Sequence, residues 1–341
     1  MIGPQSTFGP SADRPLELPF EEHHQIAEEC VNKLGGRVRH CFRSAFEHLR
    51  RAWTLHPVDS EMSLFRAITA EEEAASALIF ALKQKGYEGA EKLKPRDHTH
   101  KAAVSPFLDA VNNLLYETGV PTPRLSIHRG ERPKIMITVD LAALLKKDEP
   151  AFAEIDQPFN YMLKKGESQT AYSFEQELQG LAEVRGEKSI KALVEREANL
   201  RNRLLYASDE GIPNVDFNDS IIINRRDRVY RISLITIGIM QTSQRQLFAV
   251  QCLRAYSAVL GHSVADSFNY QQISQPEGVR VNIAQQPDGS YTETISYRKS
   301  VPIEIGWQWL QEWRVDLNVS NPSSDASSKT SSTTATSSPT G

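Results

Sequence analysis

Four consecutive segments in the first third of the chain carry apolar residues at helical spacing, and this feature restricts the fold most. The segments cover about residues 20–34, 38–56, 60–85 and 97–119. Each has an apolar stripe on one face, which must be buried against another element. Because the joints are short, neighbouring helices should pack side by side. The sequence therefore predicts a helical bundle over residues 20–119.

The pattern changes after residue 120. Two alternating segments, at residues 125–139 and 278–298, each contain a turn signal and predict β-hairpins. Between them, residues 228–260 are apolar on every side and predict a long buried helix, although the β-branched run 232–240 would also suit a strand. We therefore predict an α+β fold, with the N-terminal bundle followed by a mixed region at residues 120–318.

The two ends and the composition set further limits. Residues 1–19 are rich in Pro, Gly and Ser and predict a flexible leader, and the Ser/Thr-rich residues 319–341 predict a disordered tail. The most apolar run, 232–240, is about half the length of a membrane-spanning helix. Three widely spaced cysteines favour a reducing compartment. We expect a cytoplasmic protein without a membrane partner.

The stretch that leads into the fourth segment, RDHTHK, brings candidate catalytic groups together. In a helix that starts near Asp97, His98 and His100 would lie about 200° apart. His100 shares the apolar stripe and is predicted to point inward, whereas His98 faces the other side with Lys101. Arg96 lies in the loop before the helix.

Glu72 is the second anomaly, because it falls on the apolar face of the third segment. A buried carboxylate needs a partner. His100 is a candidate, but both residues lie early in their helices, so an antiparallel pair of helices would separate them without a kink, a diagonal contact or a second subunit. The alternatives are structural: Thr69 and Glu72 have the spacing of a capping box, and Asp97 is a natural N-cap.

The acidic, alanine-rich segment AITAEEEAASALIFALK, followed by RDHTHK, resembles the HEPN superfamily of helical bundles, and more narrowly its abortive-infection V-type (AbiV-like) branch. The resemblance covers roughly residues 20–118. It implies a defence-associated, metal-independent endoribonuclease whose Arg/His pair lies in the groove of a homodimer. By this resemblance Arg96 would steady the RNA phosphate, and His100 would activate the 2′-OH or protonate the leaving oxygen. Glu72 completes the predicted catalytic set, and no cofactor is expected.

Two other functions stay open. A non-catalytic protein-interaction or RNA-binding module would use the bundle to dimerise and the second half to bind a partner. A metal-dependent hydrolase would need His98 and His100 to converge with Glu72 and Glu73. No metal motif such as HExxH occurs, and no metal ligands are predicted.

A second basic stretch, RRDRVYR, is the candidate for nucleic-acid binding. The net charge of −4 gives no overall attraction to RNA, but a local patch is enough for a binding site. The residues predicted to contact phosphate are Arg225, Arg226, Arg228 and Arg231. The other interpretation of such a run is a solvated helix face.

Overall fold

The computed structural model describes residues 14–117, 124–128, 134–140, 152–155, 157–163, 172–206, 218–243, 245–262, 278–285, 291–298, 307–309 and 313–319. The helices in these ranges are α1 (Glu22–Asn32), α2 (Gly36–Leu55), α3 (Ser60–Gln84), α4 (His98–Ala102), α5 (Val104–Glu117), α6 (Glu175–Val184), α7 (Ile190–Leu205), α8 (Asp219–Met240) and α9 (Leu247–Val259). A 3₁₀ turn covers Ala90–Lys92.

Polar caps and a glycine fix several helix ends. Asp59 accepts a hydrogen bond from the Met62 amide at the start of α3, and Asp97 accepts one from Thr99 at the start of α4. The predicted N-cap role of Asp97 is confirmed. Since α3 begins at Ser60, Thr69 lies inside the helix and cannot form a capping box with Glu72. Gly86, with φ of +67°, follows the end of α3.

The helices share one hydrophobic core, in which α3 is central. It contacts α2, α4, α7 and α8, and its buried residues include six alanines: Ala67, Ala70, Ala74, Ala75, Ala77 and Ala81. Small side chains let neighbouring helices approach closely. Larger side chains fill the remaining space, and those of Phe42 and Phe46 on α2 and Ile222 and Ile232 on α8 are fully buried. The predicted N-terminal helical bundle is confirmed.

The predicted α+β fold class is wrong, because the second half of the chain extends the helical core. Helices make up 73 per cent of the interpretable structure. The region predicted to be mixed supplies α6 to α9, and buried residues from all four helices belong to the same core as the N-terminal bundle. The long buried helix predicted over residues 228–260 is two helices, α8 and α9, separated by a short connection. The apolar faces of the N-terminal helices are covered by these later helices.

Short strands accompany the helices: β1 (Arg124–His128), β2 (Lys134–Asp140), β3 (Phe152–Ile155), β4 (Tyr161–Leu163), β5 (Gly278–Gln285), β6 (Tyr291–Arg298), β7 (Trp307–Trp309) and β8 (Trp313–Val319). They pair antiparallel in the orders β1-β2-β3, β4-β7 and β5-β6-β8. No described strand forms a layer inside the helical core.

Two glutamines attach strands to the core. The Gln241 side chain accepts from the Ile135 amide at 2.5 Å and donates to the Ile135 carbonyl at 2.7 Å. Gln251 on α9 does the same for Leu163, at 2.9 and 2.8 Å. Each side chain therefore replaces the backbone of a neighbouring strand and satisfies both polar groups of one buried residue.

The ends of the chain fall partly within the described ranges. Residues 14–19 of the predicted leader lie on the bundle: Arg14 contacts Asp219 at 2.9 Å and Leu18 is buried. Residues 1–13 and the predicted tail beyond residue 319 lie outside the described part. In the described ranges, no helix is long and apolar enough to cross a membrane.

Candidate functional site

The predicted pair Arg96 and His100 is not brought together by any contact in the described structure. Arg96 is exposed in the loop before α4. His100 is buried, as predicted, and its Nδ1 accepts a hydrogen bond from the Lys94 amide at 3.1 Å. Its ring lies 5.4 Å from that of His262, and burial lowers the pKa of its imidazole. His100 is therefore a neutral side chain held inside the fold.

Glu72 meets the other histidine instead. Its side chain is only 6 per cent exposed, and its Oε1 lies 2.9 Å from His98 Nδ1. Lys101, also buried, donates from Nζ to Glu72 Oε2 at 2.9 Å. The guanidinium of Arg201 on α7 lies 3.7 Å from the same oxygen. The predicted need for a partner to Glu72 is confirmed, and the residues that meet it are His98, Lys101 and Arg201, which we call the Glu72 cluster.

The geometry of the Glu72 cluster fixes the proton on His98. A carboxylate can only accept, so the proton lies on Nδ1 and points at Glu72. In the neutral ring Nε2 then carries a lone pair, and one amino group of Arg201 lies 3.1 Å from Nε2 and 3.4 Å from Nδ1. The His98 side chain is 39 per cent exposed, so this nitrogen lies at the edge of the site. The arrangement is a carboxylate-oriented imidazole with a guanidinium beside its reactive nitrogen.

More positive charge surrounds the Glu72 cluster. On α2, His48 Nδ1 lies 3.3 Å from a guanidinium nitrogen of Arg66. Burial and the charges of Arg66 and Arg51 lower the pKa of His48, and Arg201 adds to the effect. Burial is the larger cause of this lowered pKa, and the guanidinium groups of Arg66, Arg51 and Arg201 are the positive charges near His48.

Glu73, which follows Glu72 in the sequence, contacts Cys41 and is not part of the Glu72 cluster. Burial raises the pKa of the Cys41 thiol to about 11, and the nearby carboxylate of Glu73 adds to the rise. The thiol is therefore protonated at neutral pH and is a poor nucleophile. Glu73 contacts Cys41 rather than the imidazole of His98 in the described contacts.

The arginines predicted to bind nucleic acid form ion pairs inside the protein. Glu71 is buried between Arg225 and Arg228, whose charges outweigh its burial and lower its pKa to about 2. Asp109 lies 3.2 Å from Arg228 and 3.0 Å from Arg231. A third guanidinium, that of Arg185 just after the end of α6, lies 2.8 Å from Asp109.

Arg226, the fourth of these arginines, has a separate set of partners. It is 5 per cent exposed, donates to the Pro19 carbonyl and lies 2.8 Å from the carboxylate of Asp227. All four arginines therefore have intramolecular acceptors. Their contacts join α8 to α3, α5, α7 and the chain before α1.

The set required for a metal-dependent hydrolase is not assembled in the described structure. His98 bonds directly to Glu72, whereas His100 faces Lys94 and His262. Among the described side chains, a group whose metal-ligand atoms do converge is Glu21, His23 and His24, at the start of α1.

Sequence reasoning missed the roles of Lys101 and Arg201. A signal for Lys101 was present, because His98 and Lys101 are three residues apart and share a helix face. Arg201 is 103 residues from His98, and no local pattern links the two. Its place in the cluster depends on how α7 packs against α3 and α4.

Comparisons with known proteins return no matching family model, no similar curated protein and no similar solved structure. The HEPN resemblance therefore stays a prediction from the residues of the third and fourth segments.

Proposed function

We propose that this protein is a metal-independent endoribonuclease whose reactive groups are His98, Glu72 and Arg201. The observation that carries the proposal is the orientation of His98, whose Nδ1 is held by a buried carboxylate while Nε2 faces Arg201 at a partly exposed edge. A defence role follows from the resemblance of the bundle to HEPN proteins. The three cysteines are free, which fits the proposed cytoplasmic location.

Each residue has a chemical task in this proposal. His98 Nε2 accepts the proton of a ribose 2′-OH as that oxygen attacks the adjacent phosphorus. Arg201 binds the phosphate and stabilises the negative charge that grows on its oxygens. The bond from phosphorus to the 5′ oxygen breaks, the imidazolium returns its proton to that oxygen, and the products are a 2′,3′-cyclic phosphate and a free 5′-OH. Lys101 neutralises Glu72, which orients the ring throughout.

The neighbouring positive groups support an RNA substrate. The guanidinium groups of Arg66 and Arg51 lie near His48, and in this proposal they meet the phosphates of adjacent nucleotides. A homodimer, implied by the HEPN resemblance, would place two such sets of positive groups near each other and lengthen the groove. In this proposal His98 takes the role that the resemblance gives to His100, and Arg201 takes that of Arg96.

The test is RNA cleavage in the presence of EDTA, with four variants compared at matched folding. His98→Ala should lower the rate by about 10²- to 10⁴-fold, and Arg201→Ala by about 10²- to 10³-fold. Arg96→Ala and His40→Ala, which change exposed side chains, should leave the rate within about twofold of the parent. Circular dichroism spectra and melting temperatures establish that the variants are folded.

The same assay separates the other functions. Loss of cleavage in Arg96→Ala alone would return the site to the Arg96/His100 pair. No cleavage by the parent protein either with or without EDTA would contradict catalysis, and fluorescence anisotropy with labelled RNA would then show whether the chain only binds RNA. Cleavage that EDTA abolishes would favour the metal-dependent hydrolase.

A further inference from the structure

The start of α1 contains a buried histidine with an unpartnered nitrogen. His24 is 1 per cent exposed, and its Nδ1 has no hydrogen-bond partner among the described residues. Buried polar atoms in folded proteins nearly always have a partner, so an orphaned one indicates a missing water, ion or ligand. The position is unrelated to the Glu72 cluster, and the proposed ribonuclease does not use it.

The other nitrogen of His24 determines what the orphaned atom can bind. Nε2 lies 3.2 Å from the Asp227 carboxylate on α8, which can only accept, so Nε2 carries the proton. Asp227 is itself held by Arg226, at 2.9 and 2.8 Å. Nδ1 therefore presents a lone pair. A histidine whose ring N–H is given to a carboxylate while its second nitrogen keeps a lone pair is the usual arrangement of a metal ligand.

Two further candidate ligands lie close to the His24 imidazole. Glu21, the N-cap residue of α1, places Oε2 at 3.4 Å from His23 Nδ1, and the ligand atoms of Glu21, His23 and His24 all lie within 4.8 Å of one another. Ligands at about 2.0–2.1 Å from a tetrahedral zinc ion are about 3.3–3.4 Å apart. The Glu21–His23 pair already has this separation.

We infer that Glu21, His23 and His24 bind one divalent transition-metal ion of the zinc class, with Asp227 as the positioning residue for His24. Two imidazoles and one carboxylate favour zinc, cobalt, nickel or copper over magnesium and calcium, which prefer oxygen ligands. The carboxylates of Glu21 and Asp227 outnumber the single guanidinium of Arg226, so the local charge suits a cation. Three protein ligands leave a fourth position for water. The ion would join three side chains at the start of α1, and the contact of His24 with Asp227 would connect this site to α8.

The experiment uses the full chain, stripped with EDTA and dialysed, and titrates zinc by isothermal titration calorimetry. One equivalent of zinc should bind and raise the melting temperature. Cobalt should bind at the same place and give the visible absorption bands of a tetrahedral site. His23→Ala and Glu21→Gln, which change partly exposed side chains, and Asp227→Asn should each weaken binding about tenfold or more. His40→Ala, at an exposed histidine on α2, is the matched control.

Three results would overturn the inference. They are the absence of stoichiometric zinc binding by the parent chain, unchanged affinity in both His23→Ala and Glu21→Gln, and equal loss of affinity in His40→Ala. Because His23 and Glu21 are not core residues, the test does not depend on whether a His24 variant folds. Retained affinity in Asp227→Asn with loss in the other two would remove only the positioning role of Asp227.

Discussion

The replacement of Glu71 by glutamine should reveal how much of the protein's stability depends on one buried charge. Glu71 lies between Arg225 and Arg228, and Glu71→Gln keeps the shape of the side chain while removing the charge that both guanidinium groups neutralise. Since the two arginines are mostly buried, they would be left without their shared counter-ion. We expect a large loss of stability at neutral pH.

The magnitude follows from the pKa of Glu71. Burial alone would raise this pKa, but the charges of Arg225 and Arg228 lower it from 4.5 to about 2. At 1.36 kcal/mol per pKa unit, the ionised carboxylate contributes about 3 kcal/mol to the free energy of unfolding. Because the folded-state pKa is lowered, the contribution is complete above about pH 5 and decreases as the pH falls, to about 1 kcal/mol at pH 3.

The assay is urea unfolding, followed by circular dichroism, for the parent and Glu71→Gln at several pH values between 3 and 7. The difference in the free energy of unfolding should be about 3 kcal/mol at pH 7 and should narrow towards pH 3. The matched control is Glu195→Gln, at an exposed glutamate on α7 whose carboxylate only approaches Lys191 at 4.0 Å. It should change stability by less than about 0.5 kcal/mol at any pH. A Glu71→Gln difference that does not vary with pH would refute the electrostatic argument.

Two other expectations concern packing and cysteine chemistry. Gly238→Ala should lower stability by about 1–3 kcal/mol in thermal or urea unfolding, because a Cβ there would lie 2.6 Å from a ring carbon of Phe159. Gly180→Ala, with nothing within 4 Å of the new Cβ, should be neutral or raise stability by up to about 1 kcal/mol. Burial raises the pKa of Cys41 to about 11 and that of Cys252 still further. Both thiols should react with a thiol reagent at pH 8 much more slowly in the native than in the unfolded protein, and equal rates in the two states would contradict the raised pKa values.

The helices were predictable because their signals are local. Periodicity placed the apolar stripes of α1 to α3, and the cap residue Asp97 marked the start of α4. The error in fold class has a physical reason: the two hairpin segments carry strong local turn and alternation signals, whereas the fold class depends on the helices that share the core. Local patterns could not predict that α6 to α9 pack onto the earlier helices, because this packing depends on contacts between residues far apart in the chain.

The charged contacts of the candidate site could also be predicted only in part. Periodicity correctly set His100 inward and His98 on the opposite face, and the cost of burying Glu72 correctly required a partner for it. The choice between the two histidines depended on which face of α4 meets α3, and this follows from the position of α7, which brings Arg201 to His98 Nε2.

The two buried carboxylates of α3, those of Glu71 and Glu72, have different roles. Glu71 is buried between the mostly buried guanidinium groups of Arg225 and Arg228, and its carboxylate is occupied by these two ion pairs. Adjacent Glu72 has similar burial, but one of its partners is an imidazole whose second nitrogen lies at the edge of the site. A histidine held in this way can exchange a proton with a substrate and still keep its carboxylate contact, whereas an arginine at neutral pH cannot. For that reason chemistry is assigned to the Glu72 cluster and stability to the Glu71 ion pairs, although the two glutamates are neighbours in the sequence.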